Sequence, residues 1–253
     1  MNRLTHQPET GTGALDVDLT RRLVAEALGT GLLVVAVVGS GIMASQLSPD
    51  DVGLQLLQNA AATAGALVAL IWTFGAVSGA HFNPVVTLVD RGFGAISTGE
   101  TGLYIVAQVL GGCVGAIVAN LMFDLPAIDW STTDRSSGAL WLSEVVATAG
   151  LVLVIHGCVR SGRVNVVAVA VGVWIGGAYF FTSSTSFANP AVTIARTLSD
   201  SFAGIEPASA PMFIVMQLVG AVVAFALIRY LYATPTTDRR RPRPSPGPQE
   251  GEP

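Results

Sequence analysis

Residues 78–87 read Ser78-Gly79-Ala80-His81-Phe82-Asn83-Pro84-Val85-Val86-Thr87, and residues 189–194 read Asn189-Pro190-Ala191-Val192-Thr193-Ile194. Proline is favoured at the first position of a helix, where its missing N–H would have no partner anyway, and Asn is a favoured cap just before it. Both stretches therefore predict short helices that start at Asn83 and Asn189. The apolar segments around them run from about 77 to 89 and from about 186 to 198. A bilayer core of about 30 Å needs roughly 20 helical residues to cross it, so neither segment spans. They read as half-helices.

The surroundings of these motifs require a membrane. Of 253 residues, 51% are hydrophobic and 12% charged, and the mean hydropathy is +0.59. A soluble domain carries about a quarter charged residues. Six runs are long enough to span, at about 22–43, 54–76, 101–122, 138–159, 164–182 and 210–232. The first 20 residues are polar and lack the basic region, short apolar core and cleavage site of a secretory signal, so the first run is expected to be a retained span. Residues 233–253 are rich in Pro and Arg and predict a disordered tail. Gly111 with Gly115, and Gly172 with Gly176, have the small-xxx-small spacing of closely packed membrane helices.

Arginine placement predicts orientation. With both termini cytoplasmic, Arg3, Arg21, Arg22, Arg91, Arg160, Arg163, Arg229 and the tail arginines fall inside. Asp50, Asp51, Asp124, Asp129, Asp134, Asp200 and Glu206 fall outside, opposed only by Arg135 and Arg196.

The chain also repeats. Ala25-Glu26-Ala27-Leu28-Gly29-Thr30 matches Ser143-Glu144-Val145-Val146-Ala147-Thr148, and Gln108 with Gly111 matches Gln217 with Gly220. Each half holds three spans, an odd number, so the second half must insert upside down relative to the first. An inverted repeat places its functional site at the junction of the halves, near the midplane. The two half-helices then meet there with their N-termini, each carrying about half a positive charge. Such a junction opposes cations and offers the Asn amides as donors to the oxygen of a neutral solute.

This combination resembles the aquaporin (major intrinsic protein) family over about residues 21–232, through the two Asn-Pro motifs together with Glu26, Glu144 and Gln108. Val85 stands where the family usually has Ala. The resemblance implies an all-α membrane protein of six transmembrane helices plus two re-entrant half-helices in an inverted repeat. Residues 1–20 would be a cytoplasmic tail, 21–122 the first repeat, 123–137 an extracellular connection, 138–232 the second repeat and 233–253 a cytoplasmic tail. It further implies a homotetramer in the cell membrane, with one pore per subunit, passing small uncharged solutes and water. The pore motifs would be Asn83, Pro84 and Val85 with Asn189, Pro190 and Ala191.

The family places a selectivity filter toward the outer mouth. Counting back twenty residues from Asn83 gives Thr63, and counting back twelve and three from Asn189 gives Gly177 and Ser186. The fourth position, after the second motif, normally holds Arg and here holds Val192. Small uncharged residues at all four places imply a pore wider than that of water-selective members. They look like the bacterial aquaglyceroporin branch linked to arsenic resistance, with water, glycerol-like polyols and arsenic oxyacids as solutes. A water-selective aquaporin and an ion-coupled transporter are the alternatives.

Other polar residues have plainer readings. Glu26 and Glu144 are intramembrane carboxylates, functional candidates by default, but their symmetric placement predicts structural support for the re-entrant loops. His81 is expected to support its loop and line the pore, and His156 to lie at an interface. Arg196, one turn beyond Val192, is either a displaced filter cation or a residue that snorkels to the outer mouth. No metal-ligand spacing, phosphate loop or nucleophile motif is present, so no cofactor, metal, catalytic residue or nucleic-acid partner is expected.

Overall fold

The computed structural model describes residues 17–232, so the N-terminal residues with Arg3 and the tail arginines lie outside the described residues. Eight α-helices occur there: α1 (Leu19–Leu47), α2 (Val52–Ser78), α3 (Pro84–Gly92), α4 (Thr98–Met122), α5 (Gly138–Arg160), α6 (Val167–Phe181), α7 (Pro190–Arg196) and α8 (Ala210–Leu231). A 3₁₀ turn, Val164–Val166, leads into α6. Six of these segments are long and apolar enough to cross a membrane. The other two are the half-helices α3 and α7, which begin at the prolines after Asn83 and Asn189. Because six crossings bring the chain back, α1 begins and α8 ends at the same end of the bundle, here called proximal. The opposite end is distal.

Side chains that a water-soluble protein would bury face outward here. Trp72, Leu110, Val173 and Val222 are each more than 60% exposed at 62%, 62%, 68% and 69%. So many large apolar side chains on the outside mark a surface that meets lipid or another protein and not water.

Inside, packing follows small residues and repeats between the halves. A Cβ at Gly111 would overlap the Ala27 carbonyl, which brings the α4 backbone against α1. At the equivalent place in the second half, a Cβ at Gly220 would sit 2.6 Å from the Val145 carbonyl, which brings α8 against α5. Gly115 packs on Gly31 in the same manner, and a Cβ at Gly172 would come 2.9 Å from the Ala64 carbonyl on α2. Lipid tails are as apolar as leucine, so close backbone approach supplies the attraction between these helices. The fold is the inverted repeat expected from the sequence.

Candidate functional site

The loops that precede α3 and α7 are strained in matching places. Ala80 and Phe82 in the first loop, and Ser186 and Ala188 in the second, all have positive φ, at 52°, 50°, 54° and 47°. For residues with a Cβ this conformation costs of order 1–3 kcal/mol each. The loops hold it because a buried glutamate grips each of them. Glu26 accepts from Ser78 Oγ at 2.6 Å, His81 N at 3.0 Å, Phe82 N at 2.7 Å and Gln108 Nε2 at 2.8 Å. Glu144 accepts from Ser184 Oγ at 2.7 Å, Phe187 N at 2.9 Å, Ala188 N at 2.8 Å and Gln217 Nε2 at 2.6 Å. Gln108 also bonds Thr87 on α3, and Gln217 bonds Thr193 on α7. Each carboxylate thus satisfies the backbone of a non-helical segment at membrane depth, where water cannot.

Each motif asparagine works in two directions. Asn83 Oδ1 accepts from Val85 N at 3.0 Å, while Asn189 Oδ1 accepts from Ala191 N at 3.0 Å and Val192 N at 3.2 Å. Their Nδ2 groups reach across to the opposite loop: Asn83 donates to the Ala188 carbonyl and Asn189 to the Phe82 carbonyl. An amide nitrogen carries two hydrogens, so one donor on each asparagine is left for the space it faces.

That space is a cavity of about 530 Å³ running through the junction of the halves. Asn83 and Asn189 line its middle. Val85, Pro84, Pro190 and Ala191 are buried behind them in the half-helix starts. The proximal part is bordered by His81, Asp90 and His156. His81 Nδ1 lies 3.0 Å from Thr87 Oγ1 and its Nε2 lies 2.9 Å from Asp90. His156, near the proximal end of α5, is 6% exposed and stands 3.4 Å from the same carboxylate.

The distal part is bordered by Thr63, Ser186, Val192 and Arg196, together with Tyr179 and Phe187. Gly177 is absent from this group. It lies on the exposed face of α6 beside Phe181, in line with Val173, and the expectation that it belongs to the filter is corrected. The face of α6 that meets the cavity carries Val171, Ile175 and Tyr179, spaced by four residues as one helix face requires. Tyr179 therefore stands where a glycine was expected, and its OH lies 3.1 Å from Thr63 Oγ1. The span from α6 to Asn189 is two residues shorter than the count from the motif assumed. Periodicity carried the missing signal, since Tyr179 continues the buried face of α6 and Gly177 does not.

Arg196 is 2% exposed, its Nε donates to the Ala203 carbonyl, and its guanidinium lies 3.3 Å over the centroid of Phe187. Arg135, from the loop between α4 and α5, approaches the same ring at 5.1 Å and donates to the Gly204 carbonyl at 2.9 Å. Burial pushes the Arg135 guanidinium below its usual pKa.

A family model described as "Major intrinsic protein" matches residues 14–182 and, again, residues 142–249. The chain belongs to this family. The two matched ranges overlap over residues 142–182 and together cover most of the chain. Among curated relatives, the chain is 49% identical over 233 residues to "Aquaglyceroporin AqpS" of Rhizobium meliloti, covering 91% of this chain and 99% of that protein. It is 29% identical to "Probable aquaporin AqpM" of Archaeoglobus fulgidus, across 86% of this chain and 99% of that one. Among solved structures, the aquaglyceroporin from Plasmodium falciparum superposes with a TM-score of 0.68 at 21% identity, covering 85% of this chain and 98% of that chain. At that identity the likeness speaks for the fold.

Proposed function

We propose that this family member conducts water, glycerol-like polyols and neutral arsenic oxyacids passively, through a distal filter with no arginine directly after the second Asn-Pro motif. As a major intrinsic protein it is a channel for small neutral solutes and not an enzyme. The finer reading of its solutes rests on one observation. Val192 borders the cavity at the place where a fixed guanidinium would otherwise stand, beside Thr63, Ser186 and Tyr179. A hydroxyl-bearing solute of glycerol size meets donors there and at the two asparagines, and arsenious acid presents three hydroxyls much as glycerol does. The 49% identity to a protein named as an aquaglyceroporin supports the same reading.

A coupled transporter would need a carboxylate free to change its proton or ion. Glu26 and Glu144 each accept four hydrogen bonds from the protein itself, which leaves them as supports.

The proximal end is the cytoplasmic one in this proposal. Arg91, Arg160, Arg163 and Arg229 stand at or near it, while Asp124, Asp129, Asp200 and Glu206 belong to distal loops. The setting is the cell membrane, with a homotetramer as the assembly and residues 21–122 and 138–232 as the two repeats.

Stopped-flow light scattering on proteoliposomes tests the solute assignment. Glycerol, urea and arsenite should enter downhill without saturation and without any ion gradient. Water flux alone would return the protein to the water-selective members, and uptake that needs an ion gradient would make it a coupled transporter.

A further inference from the structure

Arg196 combines two properties that rarely coexist. It is 2% exposed, and it borders the cavity. The partners it has are neutral: its Nε donates to the Ala203 carbonyl, and its guanidinium rests on the face of Phe187. Among the described residues no carboxylate comes within ion-pairing distance of it. Its terminal nitrogens have no hydrogen-bond partner among the described residues and are not sealed, unpaired polar atoms, and Arg196 is a lining residue of the cavity.

Burying an unpaired ion costs several kcal/mol even after relaxation. A guanidinium stays charged at neutral pH, so it cannot escape that cost by losing a proton. An aromatic face and one carbonyl offset part of it. The remainder falls to whatever oxygen occupies the passage. The second guanidinium, Arg135, stands 5.1 Å from the centroid of Phe187 and adds to the positive field there. Tyr179 and Thr63 supply the neighbouring hydroxyls.

We infer that Arg196 is a specificity-determining residue of the pore: from the last turn of α7 it presents a positive charge to solutes, accepting neutral ones through their oxygens and turning back cations. Residues 192 and 196 share one face of α7, one turn apart. The charge missing at Val192 is therefore delivered from farther out, where the long side chain folds back along Phe187. The inference rests on the channel reading, but it concerns charge selection and has its own readout.

Urea and guanidinium are planar, of similar size, and differ by one charge. Both are measured in proteoliposomes containing wild type, Arg196→Gln or Arg196→Lys. Wild type and Arg196→Lys should pass urea and exclude guanidinium. Arg196→Gln should gain guanidinium flux by at least about tenfold, the effect of removing one unit charge even from a separation as large as about 10 Å at an effective dielectric near 20. A third variant, Arg196→His, carries the test if Arg196→Gln does not fold. Its guanidinium flux should rise between about pH 5 and about pH 8 as the imidazole loses its charge, while wild type stays flat over that range. Guanidinium flux in Arg196→Gln equal to wild type, or a flat pH profile in Arg196→His, overturns the assignment. A wild type closed to urea and glycerol overturns the channel reading instead, and the guanidinium comparison still decides the role of Arg196.

Discussion

The Asn83 side-chain amide donates to the main-chain oxygen of Ala188, 105 residues away, at 2.8 Å. Its counterpart, Asn189, returns the bond to Phe82 at 2.7 Å. These two bonds tie the halves together at the point where both half-helices begin. They also fix the plane of each amide, so that its second N–H has a defined direction. The direction of each remaining amide N–H toward the cavity is thus set by the opposite half of the chain.

Asn189→Asp removes the donor and places a carboxylate oxygen against the Phe82 carbonyl. Leaving a buried acceptor unsatisfied costs about 1–3 kcal/mol, so the melting temperature in detergent should fall. The new charge also sits where two positive helix ends converge, which makes the centre attractive to cations. Cation current should appear, or glycerol flux should fall, in protein that still reaches the membrane. Wild-type stability together with wild-type flux would show that the amide is not at the narrow part of the path.

Glu144→Gln tests the support of the second loop. The carboxylate accepts four donors on its two oxygens, and the amide puts an NH2 group in place of one oxygen, facing either Ser184 Oγ and Phe187 N or Ala188 N and Gln217 Nε2. Hydrogen bonds to a charged group contribute roughly 1.5–3 kcal/mol each, so losing two is a large change for a loop held at positive φ. The variant should show a lower thermal transition and a smaller folded fraction, with flux per folded molecule reduced. A proton relay would give a different result, namely normal stability with lost pH coupling.

Gly111→Ala and Gly102→Ala form a matched pair on α4. The first methyl collides with the Ala27 backbone and must push α4 off α1, an overpacking that costs typically 1–3 kcal/mol. The second meets nothing within 4 Å. There, alanine should be neutral or gain the roughly 0.5–1 kcal/mol by which it exceeds glycine in a helix. Thermal unfolding of the two variants in detergent checks the contrast, and equal transitions would mean that this contact does not hold the bundle.

Much of this was legible in the sequence because membrane depth leaves few options. A stretch too short to span, opened by Asn-Pro and repeated at matching places, has to be a half-helix, and the matched Glu and Gln positions have to meet it. Spans, half-helices and the Glu26 and Glu144 grips all follow from that local logic. Gly177 failed for a different reason. It was reached by counting across a loop, and loop length is free where helix period is not, so the α6 residue that borders the cavity is Tyr179, two positions on. The contact of His156 with Asp90 was not legible either, since it joins two helices through side chains far apart in sequence. The cross-bonds from Asn83 and Asn189 have no sequence signature, since their partners are backbone carbonyls.

Val192→Arg is the most informative single change in the distal part of the cavity. The position lies on the first turn of α7, 4% exposed and bordering the passage. With Arg196 one turn outward on the same face, the new side chain enters a space that already holds a guanidinium. Two like charges at this spacing repel, and no carboxylate among the described residues is near enough to pair with either. Arginine also brings a rigid fork of five donors that cannot be neutralised, next to Tyr179 and Thr63, which already narrow that side. Flux of glycerol and arsenite should therefore fall steeply, and water flux should fall with it. Had the space at 192 been empty of charge, arginine would cut the larger solutes and spare water. The discriminating variant is Val192→Arg combined with Arg196→Ala, which leaves one guanidinium at the inner position. Water flux should recover in the double variant while glycerol flux stays low. Unchanged solute ratios in both variants would mean that discrimination takes place elsewhere along the cavity.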